Sequence, residues 1–261
     1  MELSLSGKRA LVGGSTQGIG LAIAQELALL GASCTLIARN EASLKEAVAK
    51  LNSDKGQQHD YLVADFFNYR QVAEVVAGYV QHTNIHILVN NSGGPAGGPI
   101  TDATPEAFLQ AFQQHLVCNQ LITQQVMGGM KKDGYGRIIN IISTSVKIPL
   151  KGLGVSNTIR GAVASWAKTM ANELGAFGIT VNNVLPGATA TGRLDAIVNN
   201  KASKTGMDKA AVEEEMLEEI PMKRFGRPEE IASVAAFLAT PAAAYVNGVS
   251  IQVDGGRTGS L

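Results

Sequence analysis

Alternation is the feature that most narrows what this chain can fold into. Seven short β-branched and aliphatic runs begin near Arg9, Cys34, Asp60, Ile85, Arg137, Thr180 and Gly248. Between them lie stretches of helical periodicity, among them residues 18–30, 41–51, 69–80, 105–130, 156–174 and 228–239. Strands that alternate with helices pair in parallel, because a parallel neighbour is reached only by a crossover of about a dozen residues or more. The alternation therefore predicts an α/β fold, a doubly wound parallel sheet of about seven strands with helices on both faces. No internal repeat or Pro/Ser-rich linker divides the chain, so residues 1–261 are expected to form one domain. The least regular part is 188–227, which includes a charged stretch, 209–219, that suits the solvated face of a helix. Ligands in such a sheet bind beyond the carboxyl ends of the strands, and this segment follows the sixth strand, so a lid is a plausible role for it.

Composition matters at three points. Acidic and basic residues balance at 22 each, without the basic excess that a general nucleic-acid binder uses to neutralise phosphates. The two cysteines, Cys34 and Cys118, stand far apart in no metal-like spacing, which supports neither a disulfide framework nor a metal site and fits a reducing cytoplasmic compartment. No run is long and apolar enough for a membrane span or a signal peptide. Glycine is in surplus, 29 of 261 residues, against a usual share of about 7%.

Part of that surplus has a recognisable place. Gly13, Gly14, Ser15, Thr16, Gln17, Gly18, Ile19 and Gly20 follow the first strand and open a helix. Glycines there permit a tight turn and let a pyrophosphate approach the backbone at a helix N-terminus. Asp65 ends the third strand, Asn90 to Gly94 end the fourth, and Pro186 and Gly187 end the sixth, with Thr189 and Thr191 beyond.

Taken together, these placements resemble the short-chain dehydrogenase/reductase family over essentially the whole chain. The segment from Gly226, Arg227 and Pro228 through Gly248 to Asp254, Gly255 and Gly256 is most similar to its 3-oxoacyl-acyl-carrier-protein reductase branch. The resemblance implies a Rossmann-type sheet and a nicotinamide dinucleotide. Gly14, Ser15, Thr16, Gly18, Ile19 and Gly20 would line its diphosphate, and Asp65 would accept from the adenine amino group. Asn91 and Gly93 would lie along the adenosine ribose, while Pro186, Gly187, Thr189 and Thr191 would hold the nicotinamide end. Gly13 departs from the family, which usually has Thr there. The second strand ends at Ala38, where an acid would favour NAD, and Arg39 follows with a guanidinium suited to a 2′-phosphate, so NADP(H) is preferred over NAD(H). Thr16 and Asn40 could add neutral donors. Arg39 as a merely solvated loop residue is the competing reading.

The catalytic positions match less well. The family uses a Ser, a Tyr thirteen residues later, a Lys four beyond that, and an Asn on the preceding long helix. Here Ser143 matches, while Ser156, Arg160 and His115 occupy the other three places. Ser156 can donate a hydrogen bond but is a far weaker acid than a phenol. Arg160 would keep a positive charge beside the nicotinamide ribose, so it belongs with both the cofactor and the catalytic residues, although its pKa bars it from relaying protons. His115 is either a titrating group or a helix histidine satisfied locally. Lys147 and Lys151 are wall residues of a substrate pocket or solvated lysines, and Cys118 is best read as a small buried hydrophobe.

These features lead to an expected NADP(H)-dependent oxidoreductase acting on a small-molecule carbonyl/alcohol pair, with a 3-oxoacyl thioester as one candidate substrate, through an atypical site. The alternative is a cofactor-binding sensor or partner subunit with little catalysis. Nucleic-acid and membrane partners are not expected, and by resemblance the chain would assemble as a homotetramer or homodimer.

Overall fold

The computed structural model describes residues 1–260. Its seven strands are β1 (Arg9–Gly13), β2 (Ser33–Ala38), β3 (Asp60–Val63), β4 (Ile87–Asn90), β5 (Gly136–Ile141), β6 (Ile179–Pro186) and β7 (Ser250–Val253). All pair in parallel in the order β3-β2-β1-β4-β5-β6-β7. The central strands are buried on both faces, which is why β4 and β5 are rich in aliphatic residues, whereas the edge strands β3 and β7 are only partly covered. Chain order reverses between β1 and β4, so the crevice of the sheet opens at their carboxyl ends.

One layer is formed by α1 (Gly18–Leu29), α2 (Glu41–Val48) and α9 (Pro228–Ala239), whose buried residues share a core with Val12, Leu36 and Val89. The opposite layer is formed by α3 (Tyr69–Val80), α4 (Pro105–Phe112), α5 (Cys118–Asp133) and α6 (Gly154–Leu174). There Val76, Val126 and Met170 pack with Leu11, Leu88 and Ile138. Side chains of Asn40, Asn68 and Thr104 cap α2, α3 and α4 by accepting from backbone N–H groups of the first turn.

Two elements differ from the expected pattern. The helix expected over 105–130 is interrupted by a π turn at Gln113–Val117, between α4 and α5. The segment 188–227 is more regular than its composition suggests, since α7 (Gly192–Thr205) and α8 (Lys209–Glu218) fill most of it. Leu194, Val198 and Ala202, each four residues apart, form the buried stripe of α7 and meet Val212 of α8 in a small core of their own. Glu213, Glu214 and Glu215 remain exposed, as expected of a solvated helix face.

A polar ladder crosses the carboxyl half of the sheet. Asn90 donates to Asn140 (2.9 Å), Asn140 to Asn183 (3.0 Å), and Asn183 to Ser250 (3.0 Å), each pair in direct register on adjacent strands. The ladder pairs these buried amides across the sheet, leaving only the Asn90 Oδ1 at its start without a partner among the described residues, and it fixes the relative heights of the strand ends that carry the site.

Candidate functional site

Beyond β1 the backbone turns sharply at Gly14 (φ +55°) and again at Gly18 (φ +56°), the left-handed conformation that side chains with a Cβ adopt only at a cost. Gly20 is required by proximity, because a methyl group there would lie 2.3 Å from the Gly14 carbonyl oxygen. Gly13 has a similar reason: a Cβ would stand 2.6 Å from the Asn91 carbonyl oxygen and 3.2 Å from the tip of Phe66. The threonine that the family pattern prefers at this place has no room in this chain. The bracing comes from Asn91 instead, whose Nδ2 donates to the carbonyls of Gly13 (3.1 Å) and Gly14 (3.2 Å). Ser15 is fully buried with its hydroxyl on the Val12 carbonyl (2.9 Å), which leaves its backbone N–H for a ligand. Thr16 and Ile19 are partly exposed at the mouth of the loop. No side chain caps α1 and no acid lies in its first turn, so its N-terminal N–H groups and positive dipole end remain available for a phosphate.

The neighbouring strand ends supply further groups. Arg39 is exposed and forms no ion pair among the described residues. Asn40 has its carboxamide oxygen committed to the Ser43 N–H (2.9 Å) as the α2 cap, so only its amide N–H groups are left as donors. One Asp65 carboxylate oxygen accepts from the Phe67 N–H (3.1 Å), which leaves the other to accept from a ligand. A Cβ on Gly93 would meet nothing within 4 Å, so this glycine borders open space. Gly187 is different, since a Cβ there would sit 2.6 Å from that of Asp254, and its absence lets β6 and the end of β7 converge. Hydroxyls of Thr189 and Thr191 donate to the Gly187 and Thr189 carbonyls, holding the turn after β6 in shape. The methyl of Thr191 lies next to Gly18 and brings the start of α7 against the start of α1.

At the carboxyl end of β5, Ser143 accepts from the Ser145 N–H (3.1 Å). Ser156, in the first turn of α6, is partly exposed, and its side chain has no hydrogen-bond partner among the described residues. One turn further on, Arg160 is buried, with 9% of its surface exposed, and donates one bond, from Nη1 to the Ile141 carbonyl (3.0 Å). Burial, followed by the charge of Arg193, lowers its pKa to about 10, so it stays protonated at neutral pH.

The π turn directs Gln114 and His115 back at the loop after β4. Gln114 donates to the Gly93 carbonyl (3.0 Å), and His115 Nδ1 pairs with the Ser92 hydroxyl (2.8 Å). His115 is 2% exposed, and its Nε2 has no partner. Burial, then Arg160 and Arg193, push its pKa down to about 2, so the imidazole is neutral at any working pH. Of the two readings of His115, the geometry favours the histidine held locally, through Ser92, over the titrating group. Cys118 is fully buried against the Phe66 carbonyl with its thiol raised to about 12, an inert packing residue. Lys147 and Lys151 are exposed, Lys151 on the wall of a cleft of about 410 Å³ with Ser145, Leu150 and Thr158.

Arg193, at the start of α7, escaped the sequence reading. Its Nη2 donates to the Pro95 carbonyl (2.7 Å) and lies against Gly94, which ties α7 to the loop after β4 across the crevice. Its only sequence signal was a single arginine just beyond the turn that carries Thr189 and Thr191.

The chain is similar to known proteins over almost its whole length. Residues 14–258 match a family model described as enoyl-(acyl carrier protein) reductase. The NADPH-dependent reductase BacG of Bacillus subtilis is 32% identical, with 98% of this chain and 100% of that protein covered. A gluconate 5-dehydrogenase of Gluconobacter oxydans is 31% identical over 99% of this chain and 97% of its own length. L-sorbose reductase from Gluconobacter frateurii, solved with NADPH and L-sorbose, superposes with a TM-score of 0.92 at 30% identity, covering 100% of both chains.

Proposed function

Because the chain belongs to the short-chain dehydrogenase/reductase family, we propose that it is an NADP(H)-dependent oxidoreductase that interconverts a small-molecule carbonyl and the matching alcohol. The observation that carries this reading is the fit of the Gly13–Gly20 corner to a dinucleotide. Two glycines there adopt left-handed backbone, a third admits no side chain, and an uncapped helix N-terminus faces the crevice. When bound, NADPH supplies hydride to a carbonyl carbon. The backbone N–H groups of Ser15 to Gly20 would hold its diphosphate, Asp65 its adenine, and Arg39 the 2′-phosphate that separates it from NADH. Relatives named for NADPH point to the same preference.

Reduction leaves charge on the carbonyl oxygen, and the residues beside it must hold that oxygen and let a proton arrive. Ser143 and Ser156 would donate hydrogen bonds to it. Arg160 would add positive charge nearby, and solvent would be the proton source, since His115 is held neutral and no phenol stands at position 156. The site is thus atypical in its acid. A positioned acid contributes about 10² to 10⁴-fold, so its replacement slows transfer without abolishing it. The helices α7 and α8 would serve as the lid, and a 3-oxoacyl thioester is one candidate substrate. We further expect a homotetramer or homodimer.

The test is a panel of ketones, 3-oxoacyl thioesters and alcohols followed at 340 nm with the native chain and with Ser156→Tyr/Arg160→Lys. The double variant is expected to raise turnover by about 10² if a general acid is what the site lacks. Tight NADPH binding with no turnover in either form would favour a sensor or partner subunit instead.

A further inference from the structure

The chain contains a second buried arginine, and it shows how this protein treats a guanidinium with a purely structural role. Arg137 is 3% exposed, donates to the carbonyls of Gly136, Gly178 and Thr240, and stacks at 4.1 Å on the ring of Tyr135. Arg160, also buried, has one carbonyl. A guanidinium carries five N–H donors, and those of Arg160 that the fold does not use are left for a ligand in the crevice.

The surroundings make the imbalance electrostatic. No carboxylate pairs with Arg160 or Arg193 among the described residues, Asp195 two positions beyond Arg193 included. The His115 imidazole, which feels both charges, is uncharged, and its buried Nε2 is a further unmet polar atom. Both arginines are anchored by backbone carbonyls on opposite sides of the crevice, Arg160 at the end of β5 and Arg193 at the loop after β4. Arg160, buried, and Arg193, exposed, are near enough for the charge of one to act on the other, and without a counter-charge the pair attracts an anion. Arg160 stands at β5, two strands from the diphosphate corner at β1, so the cofactor's phosphates do not meet its charge, and a nicotinamide ribose would offer it only neutral hydroxyls.

We propose that Arg160 and Arg193 form an anion clamp that selects carbonyl substrates bearing a carboxylate, with the clamp holding the carboxylate while Ser143 and Ser156 hold the reacting oxygen. This inference rests on the oxidoreductase reading and names its substrate class. Guanidinium forks match a carboxylate with two parallel, charge-assisted bonds, a match that a neutral ester cannot reproduce.

The experiment is a calorimetric titration of the full chain saturated with NADP⁺, using the 2-, 3- and 4-oxopentanoates and their methyl esters. At least one acid is expected to bind about tenfold or more tightly than its ester, with the advantage shrinking as salt rises. Arg193→Met should cut that ratio to about two and leave the NADPH dissociation constant within about twofold. Arg160→Lys keeps the charge and the fold but loses the fork, and should reduce the ratio by less. Equal binding of every acid and its ester would overturn the clamp, as would an Arg193→Met variant that weakens NADPH and leaves the acid ratio intact. Neutral ketones turned over faster than the acids would sink the clamp and leave the oxidoreductase reading standing. Acid-selective binding without any turnover would support the clamp and count against that reading.

Discussion

The corner between β1 and α1 and the corner between β5 and α6 lie on one edge of one sheet, yet they are built on opposite principles. At the first, function is carried by the main chain: glycines clear space, Asn91 braces two carbonyls, and Ser15 turns its hydroxyl inward. At the second it is carried by side chains whose bonding is incomplete, with Ser156 unpartnered, Arg160 holding one carbonyl, and His115 Nε2 buried alone. The first corner fits a ligand shared across a family, since backbone geometry changes little with side-chain substitution. The second is where this chain's own chemistry is written, because unmet donors declare what the missing partner must offer.

The comparison is broken most severely at Gly20. Gly20→Val puts side-chain atoms where the Gly14 carbonyl oxygen already stands, so the loop must open. We expect NADPH affinity to fall by about 100-fold or more and stability to drop by about 1–3 kcal/mol, the usual range for overpacking. Fluorescence titration and thermal unfolding measure both. Gly93→Ala is the matched control: its Cβ meets nothing in the chain, so stability should hold within about 0.5 kcal/mol. Any loss of NADPH affinity there reports the ligand's own approach. Equal destabilisation by the two substitutions would contradict a corner built on sterics.

The difference between the corners also explains how much of the molecule was legible beforehand. Strand positions were read to within about two residues because central parallel strands are buried on both faces and leave runs rich in aliphatic residues. Helix α7 escaped because its stripe is only Leu194, Val198 and Ala202, diluted by Asn199, Asn200 and lysines, although the spacing of four was there to be counted. The π turn was not legible, since one inserted residue leaves no pattern in sequence. Gly13 could be noticed as a departure but not explained, because its reason is the carbonyl of Asn91, brought beside it by β1–β4 pairing. Arg193 was invisible for the same reason, its partner Pro95 lying 98 residues away.

A second way to sharpen the contrast is acid. Burial, with Arg160 and Arg193 behind it, holds His115 neutral down to about pH 2, whereas in the unfolded chain it takes a proton near 6.5. The unfolded state therefore binds more protons below about pH 6.5, and native stability should fall as the pH drops below that point, with this residue contributing to the slope. His115→Asn removes the titration and should flatten that part of the stability curve measured by denaturant unfolding. An unchanged slope would mean that the imidazole is protonated in the fold and that the β5–α6 corner is less dry than its geometry implies.

The smallest expected effect lies back at the nucleotide corner, at Arg39. It is the first residue beyond the buried end of β2, exposed, and free of ion pairs among the described residues. The neighbouring Asn40 has spent its oxygen on capping α2, so on the proposed reading most of the discrimination between a ribose 2′-phosphate and a 2′-hydroxyl would fall on one guanidinium. A single exposed charge-assisted contact is worth about a factor of ten. Arg39→Ala should therefore weaken NADPH about tenfold and leave NADH unchanged, and raising salt should narrow the gap in the native chain but not in the variant. Arg39, with Asp65 at the adenine, is where the nucleotide corner would meet its ligand through a side chain, as the catalytic corner does throughout. If both dinucleotides weaken together, Arg39 supports the loop rather than reading the phosphate.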